Sequence, residues 1–287
     1  MTTYTLHCGD CLDVLRTIPA QSVDAVITDP PYPMIKRDYG MLTEDEWWVL
    51  MMGVCAEVRR VLKPTGSAVF ILQPNSRKVG SMRGWLWRFM WWVTTDWNMV
   101  QDVWWWNNSA PPTVHTHRTN GLTRPSAKAC VWAGGENCYR NQGAILLPLT
   151  DRMVRLATTA DDELLHKPSG FTWRESRVAK TAVERGGSTP FNVLPMGCGS
   201  TNELIGRSGH GAGTPLKLAD WWTRYIVPTG GVVLDPFNGA GTMGVAVLQN
   251  GCGYIGIEKM QRYVDVSHER LAKVQPALSN ANQGRGA

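Results

Sequence analysis

Residues 232–258 read VVLDPFNGAGTMGVAVLQNGCGYIGIE. Val232 to Asp235 is a short apolar run ending in a carboxylate. Gly239, Gly241 and Gly244 follow with GxGxxG spacing, and Thr242 to Gln249 reads as a helix. Tyr254 to Ile257 reads as the next strand, with Glu258 at its tip. A glycine-lined turn lets a ligand approach the backbone, and the helix N-terminus offers unpaired amides. A carboxylate ending the second strand can grip ribose hydroxyls. The pattern points to an adenosine-containing cofactor on an open α/β sheet. For the glycines alone, a turn that tightens helix against sheet stands as the alternative. A dinucleotide site matches less well, because Asp-Pro-Phe-Asn separates the strand from the glycines and only about thirty residues follow Glu258.

Outward from this segment, strands and helices alternate at both ends of the chain. Tyr4 to His7 reads as a strand, Leu12 to Ile18 as a helix closed by Pro19, and Val23 to Thr28 as a buried strand stopped by Asp29-Pro30-Pro31. Thr43 with Glu46 is a capping-box pair opening a helix to about Leu62, and Ser67 to Leu72 reads as another strand. Lys78 to Thr94 has helical spacing and Met99 to Trp106 reads as a strand. From Asn107 to about Arg207 the pattern dissolves into Gly, Pro, Asn, Thr and Arg around short apolar islands. Regularity returns with a helix over Leu216 to Val227, and Gln261 to Val274 closes the pattern as a helix. Such alternation implies a mostly parallel, doubly wound sheet covered on both faces. Four segments are expected: a first half, 1–106; an irregular region, 107–206; a cofactor half, 207–275; and a frayed tail, 276–287.

The second chemical signal is Asp29-Pro30-Pro31-Tyr32, directly after the strand VDAVIT. The lone pair of an amino group on adenine or cytosine is delocalised into the ring and is a poor nucleophile. A carboxylate and a backbone carbonyl that accept its two N–H bonds would localise that pair on nitrogen and aim it. Asp29 offers the carboxylate, Pro30 a carbonyl on a constrained backbone, and Tyr32 a ring on which a base can stack. For Asp-Pro-Pro alone, a proline-terminated strand edge is the simpler reading.

Taken in order, GDCLDVLRTIPAQSVDAVITDPPY (9–32), a variable middle and GGVVLDPFNGAGTMGVAVLQNGCGYIGIEKMQRYVDVSHERL (230–271) resemble the β class of S-adenosylmethionine-dependent DNA amino-methyltransferases. This is the N(4)/N(6) DNA methylase family in its permuted arrangement. The resemblance covers roughly residues 4–106 and 190–272. It implies a Rossmann-like class I methyltransferase fold, circularly permuted, with the irregular middle as target recognition region. It implies catalytic roles for Asp29, Pro30, Pro31 and Tyr32. It implies cofactor contacts from Asp10 at the adenine end, from Asp235, Phe237, Gly239 and Gly241 along the methionine and ribose and from Glu258 on the ribose hydroxyls, with Cys11, Asn238 and Thr242 also cofactor-binding. Arg118, Arg124 and His210 are candidates for DNA contact. The family segment before the glycine loop is commonly His-Pro-Thr-x-Lys-Pro. Here it reads His210-Gly-Ala-Gly-Thr214-Pro215, so the lysine position holds Thr214, and Lys217 is the nearest cation in sequence. The implied reaction is methyl transfer to the amino group of adenine in double-stranded DNA, by base flipping and direct displacement and without a metal. Asp before Pro-Pro-Tyr usually accompanies adenine in this family and Ser the cytosine N(4) group; cytosine stays open as the alternative. A 5-methylcytosine enzyme would need a nucleophilic cysteine, usually after proline, and none of the 17 prolines is followed by Cys. The resemblance also leans toward a homodimer.

Composition agrees with a globular chain: 287 residues, 43% hydrophobic and 18% charged. No apolar run approaches the roughly 20 residues of a membrane span, and the opening MTTYTLHCGD lacks the basic cap and apolar core of a secretion signal. Seven cysteines, an odd number, read as reduced thiols of a cytoplasmic protein, which the resemblance makes DNA-associated. Cys8 and Cys11 form one CxxC without a second pair at zinc-site spacing, and His115-Thr-His117 has no carboxylate or cysteine beside it, so no metal is expected. Asn75 to Glu203 hold 15 of the 29 Lys and Arg but 10 of the 24 Asp and Glu, so all the excess of +5 lies there, with ten of the 14 tryptophans. Basic and aromatic residues interleaved suit a polyanion with stackable bases, although tryptophans are more often core. Helical spacing of Trp85, Phe89 and Trp92 suggests packing. A nicotinamide-dependent oxidoreductase would leave Asp-Pro-Pro-Tyr unexplained; an inactive DNA-binding module would keep the fold without turnover. If the central cations meet phosphates, DNA affinity falls steeply with salt. A filter-binding titration from 50 to 200 mM salt tests this, and a flat response would remove the middle region from the binding surface.

Overall fold

The structure, a computed structural model, describes residues 3–158, 164–166, 168–169, 172–198 and 214–274; the expected tail at 276–287 lies outside the described residues. In chain order the elements begin with β1 (Tyr4–Cys8), α1 (Cys11–Thr17), β2 (Val23–Thr28), α2 (Glu44–Val61) and β3 (Leu62–Leu72). The short strands β4 (Ser76–Lys78) and β5 (Ser81–Met82) precede α3 (Trp85–Trp92), β6 (Met99–Trp106) and β7 (Ala127–Gly134). Next come α4 (Asp151–Thr158), β8 (Leu164–His166), β9 (Thr172–Arg174), α5 (Glu175–Glu184) and β10 (Val193–Pro195). The last stretch is α6 (Leu216–Ile226), β11 (Val232–Asp235), α7 (Thr242–Gln249), β12 (Gly253–Glu258) and α8 (Gln261–Leu271).

The main sheet has the order β1-β12-β11-β2-β3-β7-β6-β10. Neighbours are parallel except where β7 pairs antiparallel with both β3 and β6. β2 is buried at all six positions and β3 from Ser67 to Leu72, the pattern of strands covered on both faces. Alternation divides the side chains. Phe70 and Val131 join a core with α2 and α3 through Trp47, Met51, Trp85 and Phe89. Trp132, opposite Val69, points the other way and meets Trp222 and Tyr225 of α6 at ring-centroid distances of 5.6 and 5.3 Å. This is the expected α/β architecture with a mostly parallel, mixed sheet.

Local chemistry sets the boundaries. Thr43 and Glu46 close the reciprocal capping box at the head of α2. Lys63 to Gly66, between the expected helix and strand, form a bulge in β3: Leu62 pairs with Val23 and pairing resumes at Ser67 with Ala25. The helix expected over Lys78 to Thr94 begins only at Trp85, because Gly80, at φ +78°, turns the chain between β4 and β5. It then loosens into a π turn over Val93–Trp97, where the Thr94 and Thr95 hydroxyls donate back to the carbonyls of Met90 and Trp91.

Of residues 107–206, Ala127–Gly134 lie inside the main sheet as β7. Asn141–Phe191 form a second compact unit, in which α4 packs on α5 and Leu147 and Ser188 exchange backbone hydrogen bonds. The other unit comprises the chain up to Arg140 and from Asn192 onward. Among the described residues, no helix is long and apolar enough to cross a membrane.

Trp132 carries a testable consequence. It is 1% exposed and its Nε1 donates to Ser67 Oγ across the β3–β7 pair. Trp132→Ala should destabilise the fold by roughly 3–5 kcal/mol through the cavity left between sheet and α6, read as a lower urea midpoint; a midpoint unchanged from the parent would refute the packing described.

Candidate active site

β2 and β11 are adjacent and parallel, so the loops that follow them leave the same edge of the sheet side by side. The Thr28 hydroxyl, ending β2, donates to Asp235 Oδ1, ending β11, at 2.6 Å in the interior. Asp29, Pro30, Pro31 and Tyr32 therefore line the same cavity as Asp235, Phe237, Asn238, Gly239 and Thr242, and its volume is about 740 Å³. β12 brings Glu258 to the rim, and β1, pairing with β12, brings Asp10 and Cys11. Gly241 belongs to the loop but does not line the cavity.

The glycine loop is held from beneath. Gly241 has φ +76°, and a Cβ there would lie 2.2 Å from Ser267 Oγ, so only glycine fits. At Gly244 a Cβ would lie 2.6 Å from the Tyr254 ring, so α7 sits directly on β12. The last of the three glycines thus tightens helix against sheet while the first, Gly239, borders the cavity. Asn238 turns its side chain into the loop, accepting from the Tyr254 hydroxyl at 2.8 Å. Arg270 reaches from α8 to the Ala240 carbonyl and to Thr242 Oγ1. Glu258 accepts from the N–H groups of Gly239 and Met260, both at 2.9 Å, which leaves lone pairs on each oxygen. Asp10 caps α1 by accepting from Leu12 N.

The Asp-Pro-Pro-Tyr loop is braced by tryptophans. Trp47 Nε1 donates to the Pro31 carbonyl at 2.6 Å. Asn75 Nδ2 donates to the Pro33 carbonyl, and Trp85 Nε1 donates to Asn75 Oδ1. Among the described residues no donor reaches the Pro30 carbonyl, which stays available. Tyr32 stacks on Trp85 with ring centroids 6.2 Å apart, and its hydroxyl donates to Asp29 Oδ1 at 2.5 Å. Asp29 Oδ2 accepts from the Thr214 hydroxyl at 2.9 Å, and Lys128 Nζ stands 3.5 Å away.

Burial dominates the titration of Asp235, Glu258, Tyr32 and Cys11. It pushes Asp235 up to about 7 although Thr28 and the Phe237 N–H donate to it; the charges of Asp29 and Glu258 push the same way. Glu258 is raised by burial against the hydrogen bonds of its backbone donors. Burial also holds the Tyr32 phenol well above its usual range, with the charge of Asp29 adding to the effect, so it remains a donor. The Cys11 thiol, buried and beside Asp10, is pushed up to about 12 and is unreactive. Among the described residues, no lysine or arginine pairs with Asp235 or Glu258. A buried and a half-buried carboxylate without a cation suit a ligand that brings its own positive charge.

Lys128 and Thr214 join the cavity without having been expected there. No local signal marks Lys128, which flanks an apolar island far along the chain from Asp29. Lys217 is exposed and does not line the cavity. Arg118 is exposed, Arg124 donates to the Ala110 carbonyl, and neither lines the cavity; His210 lies outside the described residues. The loop after Tyr32 was also not anticipated. It folds back through the Met34 N–H to the Leu42 carbonyl and places Tyr39 on the cavity wall, while Asp38 binds Arg262 and Tyr263 of α8.

A family model, N6_N4_Mtase, described as a DNA methylase, matches residues 23–269. Over 286 residues the chain is 26% identical to the Type II methyltransferase M.PvuII of Proteus hauseri, covering 93% of this chain and 83% of that protein. It is 25% identical to the Type II methyltransferase M.HinfI of Haemophilus influenzae over 291 residues, covering 95% and 69%. Among solved structures it resembles the PvuII DNA methyltransferase (cytosine-N4-specific), with TM-score 0.71 and 20% identity over 94% of this chain and 87% of that one. It also resembles the M1.HpyAVI–SAM complex, with TM-score 0.57 and 18% identity over 94% and 99%. At these identities the structural likeness is one of fold, the class I methyltransferase fold.

The raised Asp235 predicts a pH dependence of stability. An unfolded carboxyl releases its proton near 3.8, whereas the folded one keeps it to about 7. Stability therefore falls as pH rises between those values, by on the order of 4 kcal/mol from this group. Asp235→Asn keeps an acceptor for Thr28 and should flatten that fall. Urea unfolding from pH 4 to 8 should show the variant gaining on the parent as pH rises to 7; parallel curves would refute the assignment.

Proposed function

Because the chain belongs to the N6/N4 DNA methylase family and is a DNA methyltransferase, we propose that it methylates the exocyclic amino group of adenine in double-stranded DNA from S-adenosylmethionine. The observation that carries this reading is the single cavity shared by Asp29 and the glycine loop. Asp235 and Glu258, which no lysine or arginine neutralises among the described residues, fit the cofactor, and when bound S-adenosylmethionine supplies an electrophilic methyl group on a cationic sulfur. Asp235, Phe237, Gly239 and Thr242 would hold its methionine and ribose part, with Gly241 shaping the loop. Glu258 would accept from the ribose hydroxyls, and Asp10 and Cys11 would border the adenine.

The chain's own groups prepare the acceptor. A base inside the duplex cannot reach the cavity, so it must leave the stack, at a few kcal/mol. Tyr32, backed by Trp85, offers a stacking face. The remaining lone pair of Asp29 Oδ1 and the free Pro30 carbonyl accept the two N–H bonds of the amine. Its lone pair then stays on nitrogen instead of in the ring. Pro31 serves by fixing the loop through Trp47.

Asp29 supports adenine. The cytosine N(4) group is the second reading, favoured by the likeness to a cytosine-N4-specific methyltransferase. The order of the motifs along the chain supports membership of the permuted β class. Parts of the region 107–206, with Arg118, Arg124 and His210, would contact DNA. A cytoplasmic, DNA-associated protein acting as a homodimer completes the proposal.

Purified protein with genomic DNA and methyl-labelled cofactor tests it. Nucleoside digestion should yield labelled N(6)-methyladenine; labelled N(4)-methylcytosine would select the second reading, and no label would overturn both. Asp29→Ala should lower turnover on the order of 100-fold or more with cofactor affinity within twofold of the parent. Lost cofactor affinity with turnover retained would reverse the roles of the two loops.

A further inference from the structure

Lys128 is the second residue of β7, the strand that runs against its neighbours β3 and β6. An antiparallel strand starts at the edge where parallel strands end, so Lys128 enters at the rim where β2 and β11 finish. Its Nζ donates to Tyr32 Oη at 3.1 Å and stands 3.5 Å from Asp29 Oδ2. The same ammonium lies 4.8 Å from the Trp105 ring centroid and 5.4 Å from that of Tyr32. The side chain is 12% exposed. Thr214, from the segment leading into α6, donates to the same Asp29 oxygen.

We propose that Lys128 is a positioning residue for methyl transfer: its ammonium ties Asp29 Oδ2 and Tyr32 Oη to β7. This rests on the reading that Asp29 accepts an N–H of the target base. With Oδ2 occupied by Lys128 and Thr214, the carboxylate cannot rotate, and the free lone pair of Oδ1 keeps one direction. A charge-assisted contact at 12% exposure is stronger than one in water and orients more tightly. A DNA phosphate is a poorer partner for this lysine, because the ammonium is already shared between a carboxylate, a phenol and two ring faces.

The geometry requires a cation beside Asp29 Oδ2, and it does not require that the cation come from position 128. Thr214 reaches the same oxygen, so a lysine placed there would approach it from the opposite segment. Lys128→Met, Lys128→Arg and the double variant Lys128→Met/Thr214→Lys test this, using labelled S-adenosylmethionine, genomic DNA, calorimetry for the cofactor and thermal melting. Lys128→Met should lower kcat about 100-fold, the size expected for a misplaced reacting group. Cofactor Kd, DNA KM and Tm should remain close to the parent's. Arginine, which keeps the charge but is bulkier between the two rings, should restore part of the rate, and lysine at 214 should recover at least about tenfold over Lys128→Met, a rescue confined to a charged partner of Asp29.

An unchanged kcat in Lys128→Met would overturn the proposal. A raised DNA KM with a salt slope shallower by about one would overturn it in favour of a phosphate contact. A fall in Tm that accounts for the lost rate, with no rescue by either cation, would reduce Lys128 to packing. No label transferred by the parent would instead overturn the methyl-transfer reading itself.

Discussion

The hydrogen bond from Thr28 to Asp235 joins the ends of two adjacent strands whose following loops line one cavity. It lies between adjacent parallel strands, so the loops after them cannot drift apart without breaking a buried hydroxyl–carboxylate contact. An unpaired buried carboxylate carries a large desolvation penalty. Asp235 meets it by accepting from Thr28 and the Phe237 N–H and by holding its proton to about neutral pH. The same side chain is therefore a strut of the sheet edge and a latent negative charge in the cavity. A ligand bearing a positive charge would find a carboxylate that no lysine or arginine neutralises among the described residues.

The tryptophans take their meaning from the same edge. Trp47 and Trp85 carry indole N–H groups to the Asp-Pro-Pro-Tyr loop, directly or through Asn75, while the Trp47 ring packs in the core against those of Trp85 and Phe89. A loop of consecutive prolines has few N–H groups with which to anchor itself, so anchoring has to come to its carbonyls from outside. Trp105 and Trp132 are core residues of β6 and β7, whereas Trp87 and Trp91 are exposed on α3. Clustering in sequence thus covers at least two physical roles, and a nucleic-acid surface does not follow from their density.

Much of the strand–helix alternation was legible because periodicity and capping are local. VDAVIT, the Thr43–Glu46 box and the strand–glycine–helix run around Asp235 needed no partner to be recognised. Two kinds of feature were not legible. Gly80 and Gly84 broke a pattern that apolar spacing alone extended back to Lys78, and the bulge at Lys63 to Gly66 depends on pairing with β2. β7 was read only as an apolar island within an irregular region, since an antiparallel strand inserted between β3 and β6 is specified by its neighbours and not by its own short run.

By itself the sequence determined the chemistry available: a carboxylate, a proline carbonyl and a tyrosine in one loop, glycines and two strand-ending acids in another. These are properties of contiguous residues, and no fold is needed to read them. Only the tertiary structure decided that both loops face one cavity, that Lys128 and Thr214 converge on Asp29, and that Asp235 is buried enough to retain its proton. The reason is that convergence and burial depend on which strands lie side by side, and strand order follows from packing over the whole chain.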